Sequence, residues 1–197
     1  MTPSPSEIKS RPVYEPLRPD LLAGRHWLVL EAGALTAPLL AELGGVFAPV
    51  ASQLQVWWAG PASAVGSAVG LGPLTVRADL PAVIEALGQA GPFEVGDRLY
   101  VQGTEPFLWA VALAAGQVGL VPSQVRLAHA GSLQRKVWCT HCHGCTEGVT
   151  THVVACAGCG RHLLVRDHFS RRHGAFMGVM VDAEVPGERP LPQEVFP

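Results

Sequence analysis

The chain is poor in the features that mark membrane, secreted and nucleic-acid-binding proteins. No apolar run reaches the about 20 residues that a membrane-spanning helix needs. The first residues lack the charged and then apolar pattern of a signal peptide. The formal net charge is −2, which argues against a nucleic-acid partner held by bulk electrostatics. We therefore expect a cytoplasmic protein that binds neither a membrane nor a nucleic acid.

Cysteine is scarce, and its distribution divides the chain. The 197 residues include five cysteines, all in the last third of the sequence. Seven of the eight histidines lie between His129 and His173, a stretch that includes every cysteine. In a cytoplasmic protein such clustered cysteines are more often metal ligands than disulfides. The two halves of the sequence therefore differ in their chemistry, and a metal site is expected in the second.

Two Cys-x-x-Cys pairs predict the metal ligands. Cys139 and Cys142 form the first pair, and Cys156 and Cys159 form the second after thirteen intervening residues. Four thiolates on two tight turns can surround one ion tetrahedrally, and a short hairpin between the pairs would bring the turns together. This spacing is typical of a zinc ribbon. The sequence therefore predicts a structural zinc bound by these four cysteines.

Iron is the alternative metal for the same four ligands. A rubredoxin-like site uses two such cysteine pairs to hold one iron and to transfer an electron. Cys145 extends the first pair to Cys-x-x-Cys-x-x-Cys, part of an iron–sulfur binding pattern, but the rest of that pattern is lacking. We therefore expect Cys145 not to bind the metal. Gly160 after the second pair, and Gly144 after the first, are candidates for the positive φ of a metal-binding turn.

Apolar runs and helical stretches alternate in the first half of the chain. Because 48% of the residues are apolar, a sizeable core can form. The alternation predicts an open parallel sheet with helices on both faces, that is, a doubly wound α/β fold. The predicted strands are 26–30, 54–58, 74–77, 97–101 and 124–128. The predicted helices begin at Ala37, after Asp79 and at Glu105.

These patterns predict four parts of the chain. Residues 1–24 are rich in proline and charge and are expected to form an extended arm. The α/β domain is predicted over 25–131 and the zinc ribbon over 132–185. The last part, 186–197, is rich in proline and has no helical or strand period. We expect this tail to be mobile or bound along a partner.

Two segments of the first half resemble the nicotinamide-binding half of ferredoxin–NADP-reductase-like proteins. The sequence Tyr-Val-Gln-Gly-Thr-Glu-Pro-Phe at 100–107 is similar to that family's Tyr-Val-Cys-Gly-Pro-x-Pro-Met segment. Residues 28–38 resemble its first strand and glycine loop, but Gly33 is the one glycine of the loop that remains. Glu31 adds a negative charge where phosphates would lie. We therefore expect this domain to bind NADPH weakly or not at all.

Other glycines of the first half do not make a phosphate-binding motif. Residues 60–72 are rich in glycine, yet they lack the lysine of a P-loop and a Gly-x-Gly-x-x-Gly that follows a strand. The chain also has no room for the flavin-binding barrel of a complete reductase.

The last third resembles the small subunit of dimethylamine monooxygenase, the DmmA-like family. The resemblance lies in the run over 156–172, followed by Gly-Ala-Phe-Met-Gly-Val at 174–179 and Val-Asp-Ala-Glu at 181–184. It implies a multisubunit, NADPH-dependent enzyme that demethylates a secondary amine to a primary amine and formaldehyde. It also implies that partner subunits carry flavin, iron–sulfur and haem groups. The resemblance does not settle the role of the small subunit itself. The degraded glycine loop indicates a reductase-like domain kept for assembly rather than for hydride transfer, and we therefore expect an accessory subunit without catalytic residues of its own.

Two other functions stay open from the residues alone. One is a stand-alone flavin- or nicotinamide-dependent reductase with a metal module. The other is a regulatory or assembly protein built on a zinc ribbon. An intact phosphate-binding loop would favour the reductase, and the sequence lacks one.

A charged and aromatic run near the end of the ribbon is the candidate partner-binding surface. Arginine and aromatic side chains are enriched in protein interfaces, and methionines lie beside them here. The alternative is a solvated cluster whose charges pair among themselves. The predicted partner-binding residues are Arg166, Asp167, His168, Phe169, Arg171, Arg172 and Phe176.

Overall fold

The structure, a computed structural model, describes residues 10–61 and 71–197. Most of the glycine-rich stretch at 60–72 lies outside these residues. The chain forms two compact units. One is Tyr14–Ser132, and the other comprises Leu133–Pro197 together with the described N-terminal residues 10–13. In the described ranges no helix is long and apolar enough to cross a membrane.

In its described residues, the unit Tyr14–Ser132 is a five-stranded, wholly parallel sheet with three α-helices. Its strand order is β3-β2-β1-β4-β5, which confirms the predicted α/β fold class. The order reverses direction at the neighbouring strands β1 and β4, as in a doubly wound fold. The strands are β1 Arg25–Glu31, β2 Leu54–Ala59, β3 Leu74–Arg77, β4 Asp97–Gly103 and β5 Val125–His129; the helices are α1 Ala37–Phe47, α2 Leu80–Ala90 and α3 Glu105–Gln117.

The side chains of strand β1 are buried on both faces of the sheet. Alternate side chains enter different cores: Trp27 and Val29 pack in the core that includes residues of α2 and α3. Leu28 and Leu30 pack in the core that includes residues of α1. A strand with helices on both sides needs a continuous apolar run, and that run is what the sequence contains here.

The unit Leu133–Pro197 is built on a second five-stranded sheet of order β7-β6-β10-β9-β8. Strands β6 and β10 are parallel, and the other neighbouring strands are antiparallel. The strands are β6 Arg135–Cys139, β7 Cys145–Val149, β8 Val153–Ala155, β9 His162–Ser170 and β10 Ala175–Met180.

The hairpin expected between the two cysteine pairs is not formed. Strands β7 and β8, which follow one another in the chain, lie at opposite edges of the sheet. Each cysteine pair instead lies in the turn of its own hairpin, β6–β7 or β8–β9. Strand β10 lies between β6 and β9 and joins the two hairpins, which is a long-range pairing that local spacing does not reveal.

The end of the proline-rich tail is bound to its own unit, contrary to expectation. The backbone N–H groups of Val195 and Phe196 each donate to the carbonyl of Thr150 at 2.9 Å. On the same stretch, the N–H of His152 donates to the carbonyl of Gln193 at 3.1 Å. These hydrogen bonds give the tail its partner within the chain.

Ser10, at the start of the described residues, pairs with β9 of this unit as well. The N–H of Ser10 donates to the carbonyl of Asp167, and the N–H of Phe169 donates to the carbonyl of Ser10, each at 3.0 Å. This part of the N-terminal arm therefore continues the sheet beside β9.

Candidate metal centre

The four predicted ligands come from two similar turns. Cys139 is the last residue of β6 and Cys142 lies in the turn that follows. Cys156 follows β8 directly, and Cys159 lies in the turn before β9. In each turn a backbone N–H donates a hydrogen bond to the carbonyl of the first cysteine. The N–H of His143 donates to the Cys139 carbonyl at 3.0 Å, and the N–H of Gly160 donates to the Cys156 carbonyl at 2.9 Å.

The residue after each second cysteine has a left-handed backbone. Gly160 takes φ +71°, as the sequence suggested. In the first turn this position belongs to His143, with φ +64°, and not to Gly144. Histidine is one of the few side chains found in this conformation with some frequency. The ring of His143 stacks on Trp138, with centroids 5.2 Å apart and planes 8° from parallel, which helps to hold the turn.

The four sulfur atoms form a compact group. All of them lie within 4.8 Å of one another. The Sγ atoms of Cys139 and Cys159 are 3.9 Å apart, and those of Cys142 and Cys156 are 3.6 Å apart. A tetrahedral ion with metal–sulfur bonds of about 2.3 Å requires sulfur–sulfur distances of about 3.8 Å. The four cysteines could therefore hold a metal ion, and Cys145 is not a member of the group.

Backbone N–H groups favour the thiolate form of Cys156. Hydrogen bonds from the N–H groups of Cys159 and Gly158 lower the pKa of Cys156 to about 6. By contrast, burial raises the pKa of Cys145, so this thiol stays neutral near pH 7. At Cys142 the N–H of Gly144 acts to lower the pKa, but the hydrogen bond with the Cys156 thiol and burial outweigh it and raise the pKa to about 11. The geometry of the sulfur group, and not the pKa shifts, therefore separates Cys145 from the four ligands.

The centre lies at the surface of its unit. Cys139 and Cys156 are buried, Cys159 is half-buried and Cys142 is exposed. Beside it, Trp138 is held between two imidazole rings, that of His143 and that of His173, which lies 4.8 Å away and 9° from parallel. Sequence reasoning missed Trp138 because nothing in the local pattern indicates that residues 138, 143 and 173 meet.

Three of the predicted partner-binding residues are held by contacts within this unit; Phe169 and Phe176 are buried and Asp167 is half-buried. Phe176 is 2% exposed and packs edge-to-face on Phe169, with ring centroids 5.0 Å apart. The guanidinium of Arg135 lies 3.8 Å above the Phe176 ring and binds Asp167 at 2.9 Å. Asp167 also pairs with Arg11. Phe176, Phe169 and Asp167 are therefore not free to anchor a partner, because the unit's own core and ion pairs already hold them.

The other four residues of the predicted surface are exposed. They are Arg166, His168, Arg171 and Arg172. Within the part of the chain that the structure describes, none of the three arginine side chains has an ion pair or a hydrogen bond. His168 lies 3.3 Å from the hydroxyl of Ser10.

Models of two domains of the same protein family match the chain. The model of the family described as dimethylamine monooxygenase subunit DmmA-like, N-terminal domain, matches residues 6–125. The corresponding C-terminal domain matches residues 136–179. A curated relative, the heme-dependent oxidative N-demethylase delta subunit of Ectopseudomonas mendocina (strain ymp), is 37% identical over 92 residues. This alignment covers 47% of the present chain and 53% of the relative, so it spans about half the length of each protein.

Proposed function

The chain belongs to the dimethylamine monooxygenase subunit DmmA-like family, and we propose that it is an accessory subunit of a multisubunit amine monooxygenase. The observation that carries this proposal is the match of the family's two domains along the chain, together with the likeness to a protein named as a delta subunit. A subunit name of this kind supports partner subunits for the present chain. We place the complex in the cytoplasm.

The proposed complex demethylates dimethylamine at the expense of NADPH. One amine, one dioxygen, two electrons and two protons yield methylamine, formaldehyde and one water. NADPH supplies the electrons, and partner subunits carry the flavin, iron–sulfur and haem groups that transfer them and activate oxygen. The present chain contributes no catalytic residue to this reaction.

We propose zinc as the metal of the four-cysteine site. The thiolate set of Cys139, Cys142, Cys156 and Cys159 supports zinc because soft ligands in a tetrahedral arrangement suit this ion. Four protein ligands leave no open position for substrate, and zinc has no redox chemistry. The ion would therefore stabilise the fold of the unit Leu133–Pro197.

Metal analysis of the purified chain tests this assignment. We expect one zinc per chain and no absorption in the visible region. Stoichiometric iron with a charge-transfer band would instead assign an electron-transfer site to the same ligands, and the accessory role would have to be extended accordingly.

The exposed arginines and histidine of β9 and the following turn are the proposed partner-binding surface. The arginines Arg166, Arg171 and Arg172 make a cationic patch that includes His168, and an acidic surface on a partner subunit would complement it. Asp167, Phe169 and Phe176 contribute indirectly, because their packing holds the strand that carries these side chains.

Reconstitution tests the accessory function. The chain is expressed with and without the candidate catalytic subunits, and dimethylamine-dependent NADPH oxidation is measured together with the composition of the purified complex. We expect the chain to co-purify with these subunits and to be inactive alone. NADPH consumption and amine demethylation by the isolated chain would overturn the proposal and favour the stand-alone reductase.

A further inference from the structure

The carboxyl ends of β1 and β4 are where a nicotinamide-binding domain of this topology would hold its cofactor. The strand order reverses between these two neighbours, and dinucleotides bind in the crevice at such a reversal. Their phosphates lie on the backbone N–H groups at helix N-termini. In the unit Tyr14–Ser132 this position contains Glu31 and the single 3-10 turn Ala32–Ala34 that follows β1.

Glu31 already binds an N–H group at the start of a helix. Its Oε2 accepts a hydrogen bond from the backbone N–H of Thr104 at 2.6 Å. Thr104 is the residue before α3, and its own side chain does not cap the helix. The carboxylate therefore satisfies a donor that the helix leaves unpaired, at the positive end of the helix dipole.

The last residue of β4 is shaped to admit this carboxylate. A Cβ atom at Gly103 would lie 2.6 Å from Glu31 Oε2 and 2.7 Å from Glu31 Cβ. These separations are far below van der Waals contact. Any larger residue at position 103 would push Glu31 away from Thr104.

The turn after Glu31 packs on the ends of two further strands. A Cβ at Gly60, just after β2, would lie 2.5 Å from the methyl group of Ala32. A Cβ at Gly131, after β5, would lie 2.8 Å from the methyl group of Ala34. The turn Ala32–Ala34 therefore packs directly on the backbone of Gly60 and of Gly131. It occupies space in the crevice that a bound cofactor would need.

We propose that Glu31 is a built-in anion that takes the place of a cofactor phosphate, so that this unit is a scaffold that binds no dinucleotide. A phosphate brought to the same crevice would compete with Glu31 for the Thr104 N–H and would be repelled by its charge. The two alanine methyl groups close the remaining approach. The residues present do not fit NADPH, in contrast to what the resemblance to the reductases implies.

Titration of the wild-type full chain is the first test. We expect no saturable binding of NADPH up to about 1 mM, which corresponds to a binding free energy weaker than about −4 kcal/mol. Saturable binding with Kd below about 1 mM would overturn the proposal. The result is independent of whether the chain assembles with partner subunits, so it is distinguishable from a failure of the proposed function.

The stability of Glu31 variants is the second test. Glu31→Gln removes the charge at constant size, and Glu42→Gln removes an exposed charge of α1 as the matched control. We expect Glu31→Gln to lower the melting temperature by about 3–10 °C relative to that control, because a charge-assisted hydrogen bond is weakened. Equal melting temperatures would show that Glu31 does not hold the helix start and would refute the role of built-in anion.

A double substitution tests the packing of Gly103 on Glu31. Gly103→Ala should lower the melting temperature in the wild-type chain and should lower it much less in a Glu31→Gly background, where the conflicting side chain is gone. The remaining loss reflects Phe107, whose Cδ1 would lie 2.9 Å from the new methyl group. Strictly additive losses would mean that the two positions do not interact and would count against the proposal.

Discussion

At the scale of single residues, the unit Leu133–Pro197 depends on one buried arginine, Arg135. Arg135 is 6% exposed, and its guanidinium lies between the ring of Phe176 at 3.8 Å and the ring of Phe196 at 3.7 Å. It also binds Asp167. The sequence placed Phe176 and Asp167 in a partner surface because aromatic and charged residues mark interfaces. In a unit this small the same residue types build the interior, because cation–π contacts and a paired charge supplement a limited apolar core.

Removal of Arg135 should therefore destabilise the unit Leu133–Pro197. Arg135→Ala leaves Asp167 with one fewer partner and two rings without their stacked cation, so we expect a loss of about 2–4 kcal/mol in the free energy of unfolding. Arg172→Ala, at an exposed position, should change it by less than about 0.5 kcal/mol. Hydrogen exchange of the β9 and β10 amides reports this unit specifically. Equal protection in the two variants would contradict the structural role of Arg135.

The cysteines give a second prediction at the residue scale. Cys142→Ser should abolish metal binding and unfold the unit, since structural zinc contributes on the order of 10 kcal/mol to the folding of small modules. Cys145→Ser should leave one metal ion per chain, because Cys145 lies outside the sulfur group. Elemental analysis and circular dichroism of the two proteins measure this difference. Loss of metal from the Cys145 variant would require a different ligand set.

At the scale of elements, the first unit follows from its sequence to a large extent. All five strands were predicted. Apolar runs mark β1, β2 and β4, because strands covered on both faces need them, whereas the edge strands β3 and β5 are more exposed. Asp79 predicted the start of α2, and its side chain accepts the N–H of Ala82 at 2.9 Å. Local preference is sufficient here because each helix packs close to the strands that flank it in the chain.

The second unit could be predicted only in part. The cysteine spacing predicted the sulfur group, because each pair is confined to one turn. It did not predict that β10 separates β6 from β9, or that the tail pairs with Thr150, because these contacts join residues far apart in the chain. The left-handed backbone of His143 does not follow from the sequence either, because glycine adopts this conformation more readily and Gly144 lies next to it. The stacking of His143 on Trp138 is a contact that the sequence does not reveal.

The pairing of β1 with β4 leads to a prediction about pH. Arg25 and Asp97 are opposite one another at the amino ends of these strands, with Arg25 Nη2 2.5 Å from Asp97 Oδ2. Burial acts to raise the pKa of Asp97, but hydrogen bonds from Arg25 and the Glu94 N–H outweigh it and hold the pKa below its usual value. The ionised form therefore stabilises the fold above about pH 4, and this contribution is lost as the pH falls through the lowered pKa.

Asp97→Asn tests this linkage. At pH 7 we expect a loss of about 2 kcal/mol, typical of hydrogen bonds to a charged group. Between pH 5 and pH 2 the wild type should lose stability more steeply than the variant. Tryptophan fluorescence is a suitable probe because four of the five tryptophans lie in Tyr14–Ser132. Parallel pH profiles of the two proteins would show that Asp97 does not contribute in this way.

At the scale of the whole molecule, the two units obtain their stability by different means. Tyr14–Ser132 has two extensive apolar cores, one on each face of its sheet. Leu133–Pro197 relies on a compact group of four sulfurs, a buried arginine and a tail that pairs with its own strands. Loss of metal should accordingly unfold the unit Leu133–Pro197 and leave Tyr14–Ser132 folded. The exposed arginines of β9 and the following turn would then no longer be held in one ordered surface.

The cationic patch can be tested by reversing its charge. In the variant Arg171→Glu/Arg172→Glu both arginines become acidic, while Arg18→Glu/Arg126→Glu makes the same change at exposed positions of the other unit. Since steering between opposite charges governs the rate of association, we expect the first variant to associate with the partner subunits at least about tenfold more slowly.

Wild-type association should also weaken as salt rises, and that dependence should be smaller in the variant. Surface plasmon resonance measures both quantities. Zinc content and melting temperature of the Arg171→Glu/Arg172→Glu variant should equal those of the wild type, because neither arginine has an ion pair in the described structure. If both double variants associate at the wild-type rate and support full amine-dependent NADPH oxidation, the patch is a solvated charge cluster and the partner surface lies elsewhere.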